Sequence, residues 1–551
     1  MAHSGRMPQN QDPIEDWIDS ITNHPLYEST ACLSTLALCV AFSYAAFGVM
    51  EDIPSTVASS TLSPWLFGHR VDTSARGGDR ARADWLFGTH AEGDLAEGAS
   101  AILSGPAKQL ERQPWAEAAF RRAVLERRPA LFEGSPTRQW GAFERWTPEK
   151  LRRGAVGGTV LADVIGGKLH WNFDSAKPLC AGEGGLPRAA CHRDTVHNNV
   201  SVASFLDRLA AREPLLYLSP LGYGDEWDAL AADVGWGFAL EPLAAEEPEA
   251  LARGEGGGDT GPLAGLSQSQ VLQYVWIGGG GVTTATHYDT SHNCFAQIAG
   301  QKRFVLRPPS AAREQLRLHS VAHPGHRKAM DGGLDTHGGA TVGAGALVAN
   351  LRRGDLLYLP PLWFHTVTSE AGAKGKGRSS AAPEVSISSS VWAGSSEGKA
   401  FDDAMLLPLP DAVSERSNPN HAKLLASFMA AIVGRTIGQS RIGTAAEVRA
   451  LVRRAVICRY GADFGGCELV PRDKACQGWE QPSEAAAEFR RYVNAIGDAL
   501  AGGCHLQRGS AVSRGQAGAA CETIIGNYLE HVAHSMMGGP RQGCRFFAEC
   551  F

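Results

Sequence analysis

Two segments about eighty residues apart constrain this chain most: His287-Tyr288-Asp289, and the run Gly354-Asp355-Leu356-Leu357-Tyr358-Leu359-Pro360-Pro361-Leu362-Trp363-Phe364-His365. A His and an Asp two positions apart leave the same face of a β-strand. The second segment reads as an apolar strand, a Pro-Pro turn and a further His. Two imidazoles and one carboxylate from separate strands form a facial triad, which leaves open positions on non-haem Fe(II). A lone H-x-D also arises by chance as two solvated polar residues, so the surrounding sequence has to decide.

That sequence reads as strand. Asn293-Cys294-Phe295-Ala296-Gln297-Ile298 and Lys302-Arg303-Phe304-Val305-Leu306 flank the link Ala299-Gly300-Gln301, which predicts a hairpin. In the second run Lys302, Phe304 and Leu306 share one face, and Arg303 and Arg307 share the other, expected to meet solvent. Lys302 then points inward among apolar side chains. A buried ammonium needs an anionic partner. A dicarboxylate co-substrate, a structural ion pair, or snorkelling to the mouth of the barrel would each answer that need.

With these strings in view, the chain resembles the JmjC-type 2-oxoglutarate- and Fe(II)-dependent oxygenases of the cupin superfamily. It is most similar to the small hydroxylase branch that includes the factor-inhibiting-HIF-like enzymes. The resemblance rests on His287-Tyr288-Asp289, Asn293, Phe295 to Ile298, Gly300, Lys302-Arg303, Pro308-Pro309, Gly354-Asp355, Leu357-Tyr358, Pro360, Trp363 and His365. It implies a double-stranded β-helix, a jelly-roll of mainly β structure with flanking helices. It further implies iron ligation by His287, Asp289 and His365, and 2-oxoglutarate held at its distal carboxylate by Lys302, Thr284 and Tyr217. Asn293 would lie close to the co-substrate. The implied chemistry consumes O₂ and 2-oxoglutarate and hydroxylates a side chain of a protein or peptide, with N-methyl-lysine demethylation as the alternative reaction. A non-catalytic cupin that only binds a partner is the competing class. Ser390 stands where the hydroxylase carries a second asparagine, which departs from its co-substrate contacts.

The resemblance places a catalytic domain over residues 107–397. Upstream, Trp115–Arg127 reads as a helix and Pro129–Gly134 as a strand and turn. Thr147 reads as the N-cap of a helix with Pro148 at its first position. The Gly/Glu/Ala-rich stretch 244–265 reads as an insertion. Residues 371–383, with a Lys-Gly-Lys-Gly-Arg tract, read as a solvated loop or as a contact for an acidic substrate. Net charge is −6, which argues against bulk electrostatic binding of nucleic acid.

The flanks carry three further expectations. Residues 1–28 are acidic. Residues 29–50 contain no charge and are long enough for a transmembrane anchor, with 51–106 as linker. This points to a membrane location, with a cytoplasmic or nuclear chain as the alternative. Residues 398–551 read as helical and Cys-rich. Segments 418–435, 444–459 and 484–500 show helical periodicity and would cap the barrel or form a homodimer. Seven of the twelve cysteines fall in the last hundred residues. Such clustering suggests disulfides in an oxidising lumen, hence a lumenal catalytic domain, against the alternative of free buried thiols.

Overall fold

The computed structural model describes residues 107–154, 160–165, 195–211, 213, 216–221, 230–244, 271–311, 316–329, 345–370, 385–437, 445–463, 476, 479, 485–505 and 510–551. The features expected at 1–28, 29–50, 51–106 and 371–383 lie outside the described residues. So does the stretch 244–265, apart from Ala244, which ends a helix. All the described residues belong to one compact unit.

Thirteen described strands form two sheets. They are β1 (Lys108–Gln109), β2 (Arg112–Pro114), β3 (Ala130–Glu133), β4 (Val160–Ile165), β5 (Thr195–Val200), β6 (Leu216–Leu221) and β7 (Val271–Gly279). They continue as β8 (His292–Ala299), β9 (Gln301–Arg307), β10 (Leu347–Arg352), β11 (Leu356–Leu359), β12 (Phe364–Glu370) and β13 (Val385–Ala393). The smaller sheet runs β1-β10-β9-β12, and the larger runs β2-β3-β11-β8-β13-β7-β6-β4-β5. Pairing within both is almost entirely antiparallel, the exceptions being β1 with β10 and β2 with β3. The larger sheet contributes Leu131, Tyr217, Trp276, Phe295 and Leu357 to a shared core, and the smaller contributes Phe304, Leu306, Ala349 and Leu351. Two sheets closing on one apolar interior, with helices outside, make the jelly-roll expected of the sequence.

The predicted hairpin at Gly300 is corrected. Strands β8 and β9 do not pair: β8 lies between β11 and β13, and β9 between β10 and β12. The link instead carries the chain from one sheet to the other. Gly300 has φ +68°, and a Cβ there would sit 2.6 Å from the Val385 carbonyl oxygen, so the crossing needs glycine. The glycine does mark a tight bend, but local periodicity cannot distinguish a hairpin from a crossing between facing sheets.

Period-two alternation sorts the side chains of β8. Asn293, Phe295 and Gln297 pair across from Trp392, Ser390 and Ser388 and face the interior. Cys294, Ala296 and Ile298 lie in a second cluster with α1 (Glu117–Leu125), α2 (Val202–Ala210) and α3 (Gly237–Ala244). Lys150 N–H donates to Thr147 Oγ at 3.2 Å, the cap read from sequence.

The C-terminal region is helical: α4 (Ser396–Leu406), α5 (His421–Ile437), α6 (Ala445–Val452), α7 (Cys458–Asp463), α8 (Ala485–Gly502), α9 (Arg514–Met537) and α10 (Pro540–Cys550). A π-helical turn, Arg453–Ile457, joins α6 to α7. Apolar faces of these helices pack with one another and with Tyr288, Leu316, Leu318, Leu362 and Phe364 of the barrel. They cap the barrel, and nothing among the described residues supports the homodimer. Cys476 bonds to Cys550 and Cys504 to Cys521, while Cys544 is also disulfide-bonded. Cys294 and Cys458 are free.

The membrane location expected of the sequence is corrected too. No described helix is long and apolar enough to cross a membrane. The C-terminal helices alternate polar and apolar residues because one side of each covers a protein core.

Candidate metal centre

His287 and Asp289 lie in the turn region between β7 and β8, and His365 is the second residue of β12. Backbone bonds between His287 and His365 run both ways, N–H to O at 3.1 and 2.8 Å, and hold the two histidines side by side. Their ring centroids are 4.2 Å apart. One donor atom from each of His287, Asp289 and His365 can be chosen so that all three lie within 4.8 Å of one another. Among the described residues this is the one His/Cys/Asp/Glu group with that geometry.

Hydrogen bonds decide the tautomer of each imidazole. His287 Nδ1 lies 2.7 Å from the Ala285 carbonyl, and His365 Nδ1 lies 3.1 Å from the Trp363 carbonyl. A carbonyl only accepts, so in both rings Nδ1 carries the proton and Nε2 keeps a lone pair. Such outer bonds are the usual support of metal-bound histidine. Burial, and then the nearby His365, push the His287 pKa well below the ordinary value, which keeps the ring neutral.

Asp289 Oδ2 is 3.6 Å from His365 Nε2 and makes no hydrogen bond. Burial raises the carboxyl's pKa, while His365, Arg327 and a hydrogen bond from Asn293 oppose that rise. A buried carboxylate oxygen without a donor is costly unless a cation takes it up. Two Nε2 lone pairs and this oxygen therefore suit a divalent metal with open positions.

Deeper in the same interior sits Lys302, 1% exposed. Its Nζ donates to Tyr217 Oη at 3.3 Å and lies 4.9 Å from the Phe295 ring centre and 5.4 Å from that of Tyr217. No carboxylate among the described residues pairs with it. Burial pulls its pKa down to about 7. Gly278 on β7 makes room for the tyrosine: a Cβ there would lie 2.5 Å from Tyr217 Cδ2. Register puts Lys302 and Leu306 on one face, since β9 pairs Leu306 with His365 and Lys302 with Ser369.

The other predicted residues fall nearby with different duties. Thr284 is buried, and its hydroxyl accepts the Val367 N–H at 2.9 Å, which ties it to β12. Asn293 touches Asp289 rather than standing apart from the triad. Ser390 accepts from Trp276 Nε1 at 2.8 Å. Arg307, predicted to face solvent, is buried, because its pairing partner Phe364 lies in the cluster shared with the C-terminal helices. Sequence reasoning missed Thr286 and Thr366, whose buried hydroxyls are 2.6 Å apart beside the two histidines. The positions next to His287 and His365 carried that signal.

A family model described as the cupin-like domain matches residues 116–392, half of the chain. The chain belongs to the cupin-like family. Among curated proteins, this cupin-like chain is similar to tRNA wybutosine-synthesizing protein 4 of Gibberella zeae, 39% identical over 267 residues, covering 45% of this chain and 21% of that protein. Jumonji C domain-containing protein 5 of Drosophila melanogaster is 35% identical over 99 residues, 18% of this chain and 24% of the relative. Lysine-specific demethylase JMJ30 of Arabidopsis thaliana is 30% identical over 99 residues, 17% and 22%. The matched part spans no more than about a quarter of the length of these relatives.

Proposed function

We propose that this cupin-like chain is an Fe(II)- and 2-oxoglutarate-dependent oxygenase that hydroxylates a protein side chain. The observation that carries the reading is the pairing, within one interior, of a His287/Asp289/His365 donor set with a buried ammonium that lacks a carboxylate partner among the described residues. When bound, Fe(II) with 2-oxoglutarate and O₂ supplies the oxidation of a C–H bond, the keto acid leaving as succinate and CO₂.

The chain's own residues do the rest. The Ala285 and Trp363 carbonyls hold both imidazoles with Nε2 toward the metal. Asn293 steadies the Asp289 carboxylate. Lys302 would bind the far carboxylate of 2-oxoglutarate, with Tyr217 Oη beside it, and Thr284 would complete that end. Lys302 lies four positions along β9 from Leu306, which pairs with His365. That is about 13 Å of strand, and side-chain reach from both ends shortens it to the length of a small dicarboxylate. Trp276, Phe295 and Phe304 wall this space with apolar surface that excludes water.

A second reading follows from the names of the relatives. One is a tRNA wybutosine-synthesizing protein and another a lysine-specific demethylase, so a nucleoside or an N-methyl group is the alternative substrate. The same assay addresses all three substrate classes. Purified chain with Fe(II), 2-oxoglutarate and ascorbate should form succinate, and Asp289→Ala should not. Mass spectrometry of proteins and RNA exposed to each form should then find oxygen insertion or methyl loss in one class. Succinate formation that survives Asp289→Ala would defeat the assignment.

A further inference from the structure

We propose that Asn527, fixed by Arg459, is a positioning residue for the metal centre and acts through Tyr288. The inference rests on the metal-centre reading above and extends it to the C-terminal helices.

His287 and Asp289 bring donor atoms to a common point with His365, and Tyr288 between them packs away from it, toward the C-terminal helices. There it is buried, edge-on to Phe364 at 5.4 Å between ring centres, within the cluster formed with the C-terminal helices. Its hydroxyl accepts from Asn527 Nδ2 of α9 at 3.0 Å. Asn527 Oδ1 accepts from Arg459 Nη1 of α7 at 2.7 Å. Arginine only donates, so this contact fixes the amide's orientation and obliges the nitrogen to face Tyr288.

Arg459 is itself anchored. It pairs with Glu530 at 3.0 Å, and both are buried. The second Glu530 oxygen accepts the Val321 N–H at 3.1 Å. Val321 belongs to the segment whose Arg327 carbonyl accepts the Tyr288 N–H at 3.2 Å, and whose Ala329 N–H donates to the Thr286 carbonyl at 2.8 Å. The chain of bonds thus closes on the ligand segment from two sides. Close helix packing makes it reachable: a Cβ on Gly526 would lie 3.0 Å from Ala455 of the π-helical turn and 3.3 Å from Arg459 Nη2. The π turn Arg453–Ile457 leads directly into α7, the second residue of which is Arg459.

The consequence is that the helical region fixes where His287 and Asp289 stand, beyond covering the barrel. Bonds made directly to metal ligands change metal affinity by about 10–100-fold when removed, and this bond, one residue away, belongs at the low end of that range.

The test uses the full chain stripped of metal and titrated with Co(II), read by affinity and by ligand-field absorption. Tyr288→Phe, which removes one oxygen, and Asn527→Leu should each weaken Co(II) binding by up to about tenfold and shift the absorption bands. The double variant should be no weaker than the worse single one. Tyr528→Phe, a buried tyrosine of the same helix whose hydroxyl makes no hydrogen bond, should match the unaltered chain. Should Asn527→Leu fail to fold, Tyr288→Phe carries the test alone. A folded Tyr288→Phe chain with unchanged affinity and spectrum overturns the proposal. Asp289→Ala separates the two levels of inference: if it binds Co(II) like the unaltered chain, the metal reading fails and takes the proposal with it.

Discussion

Replacing Lys302 by methionine should stabilise the ligand-free chain and weaken dicarboxylate binding. Burial pushes this lysine's pKa from 10.5 down to about 7. A difference of about 3.5 pH units, at roughly 1.36 kcal/mol each, is roughly 5 kcal/mol that folding loses by removing the ammonium from water. The sign follows from proton counting. Between pH 7 and 10.5 the unfolded chain holds a proton that the folded chain has shed, so stability rises with pH across that window. The cost is fully present below about pH 7 and vanishes near 10.5. At about pH 8 methionine should therefore recover roughly 3 kcal/mol, with the apolar stem still filling the site. Denaturant unfolding of metal-free protein at about pH 6.5, 8 and 9.5 measures this across the window. Binding tells the same story in reverse. A dianion needs the charged lysine, so above about pH 7 its affinity should fall by about tenfold per pH unit. Lys302→Met should weaken it by about 2–5 kcal/mol, read by calorimetry with 2-oxoglutarate. Affinity that stays flat from about pH 7.5 to 9, together with unchanged stability in Lys302→Met, would refute the reasoning.

Other expectations follow from single sites. Glu397→Gln should cost about 3–5 kcal/mol, because it breaks a buried pair with Arg127. Burial alone would raise the Glu397 carboxyl, but Arg127 and His505 outweigh it and hold the group well below the ordinary range. Its contribution is thus present above about pH 4.5 and lost as pH falls toward the folded-state value; acid unfolding of the two forms measures both. Reduction of Cys504–Cys521 and Cys476–Cys550, whose cysteines are 17 and 74 residues apart, should each remove about 3–4.5 kcal/mol by loop entropy, visible as a lower thermal midpoint with dithiothreitol. Gly300→Ala should destabilise by about 1–3 kcal/mol, since a side chain would meet Val385 backbone at positive φ; an unchanged midpoint would show that the crossing relaxes freely.

The barrel was legible because its information is local. Alternation in β9 already told that Lys302, Phe304 and Leu306 share the inward face, and the apolar run before Pro360-Pro361 announced β11. The metal-binding candidates were legible as an H-x-D spacing, although His287 and Asp289 come together in the turn region between β7 and β8 and not on a strand face. Less visible was what covers the outside. Arg307 looks solvent-exposed in a two-residue pattern, but helices more than a hundred residues later bury the face it shares with Phe364. The helices α9 and α10 fall in the region read as helical, but they were not marked as separate segments since Gly, Ala and Cys dilute their apolar period, although α9 runs for 24 residues. The crossing at Gly300 was hidden because turn chemistry reports a bend and not which sheet receives the strand.

The interior of this barrel is poorly arranged for stability, and that is an argument about its use. Lys302 lacks a carboxylate partner among the described residues, and Asp289 Oδ2 and Asn293 Oδ1 are buried without hydrogen bonds. Each unsatisfied oxygen costs about 1–3 kcal/mol and the lysine more, whereas the outside of the same barrel satisfies its buried charges: Arg127 with Glu397, and Arg459 with Glu530. A sequence that pairs buried charges on the outer surface and leaves them unpaired on one inner wall gives up stability in favour of binding. Metal and dianion together would satisfy these groups, so each should stabilise the chain by RT ln(1 + [L]/Kd), read as a raised thermal midpoint. The joint increment should exceed the sum of the separate ones if one ligand completes the other's site. Strict additivity would place them in independent sites and would separate Lys302 from the triad.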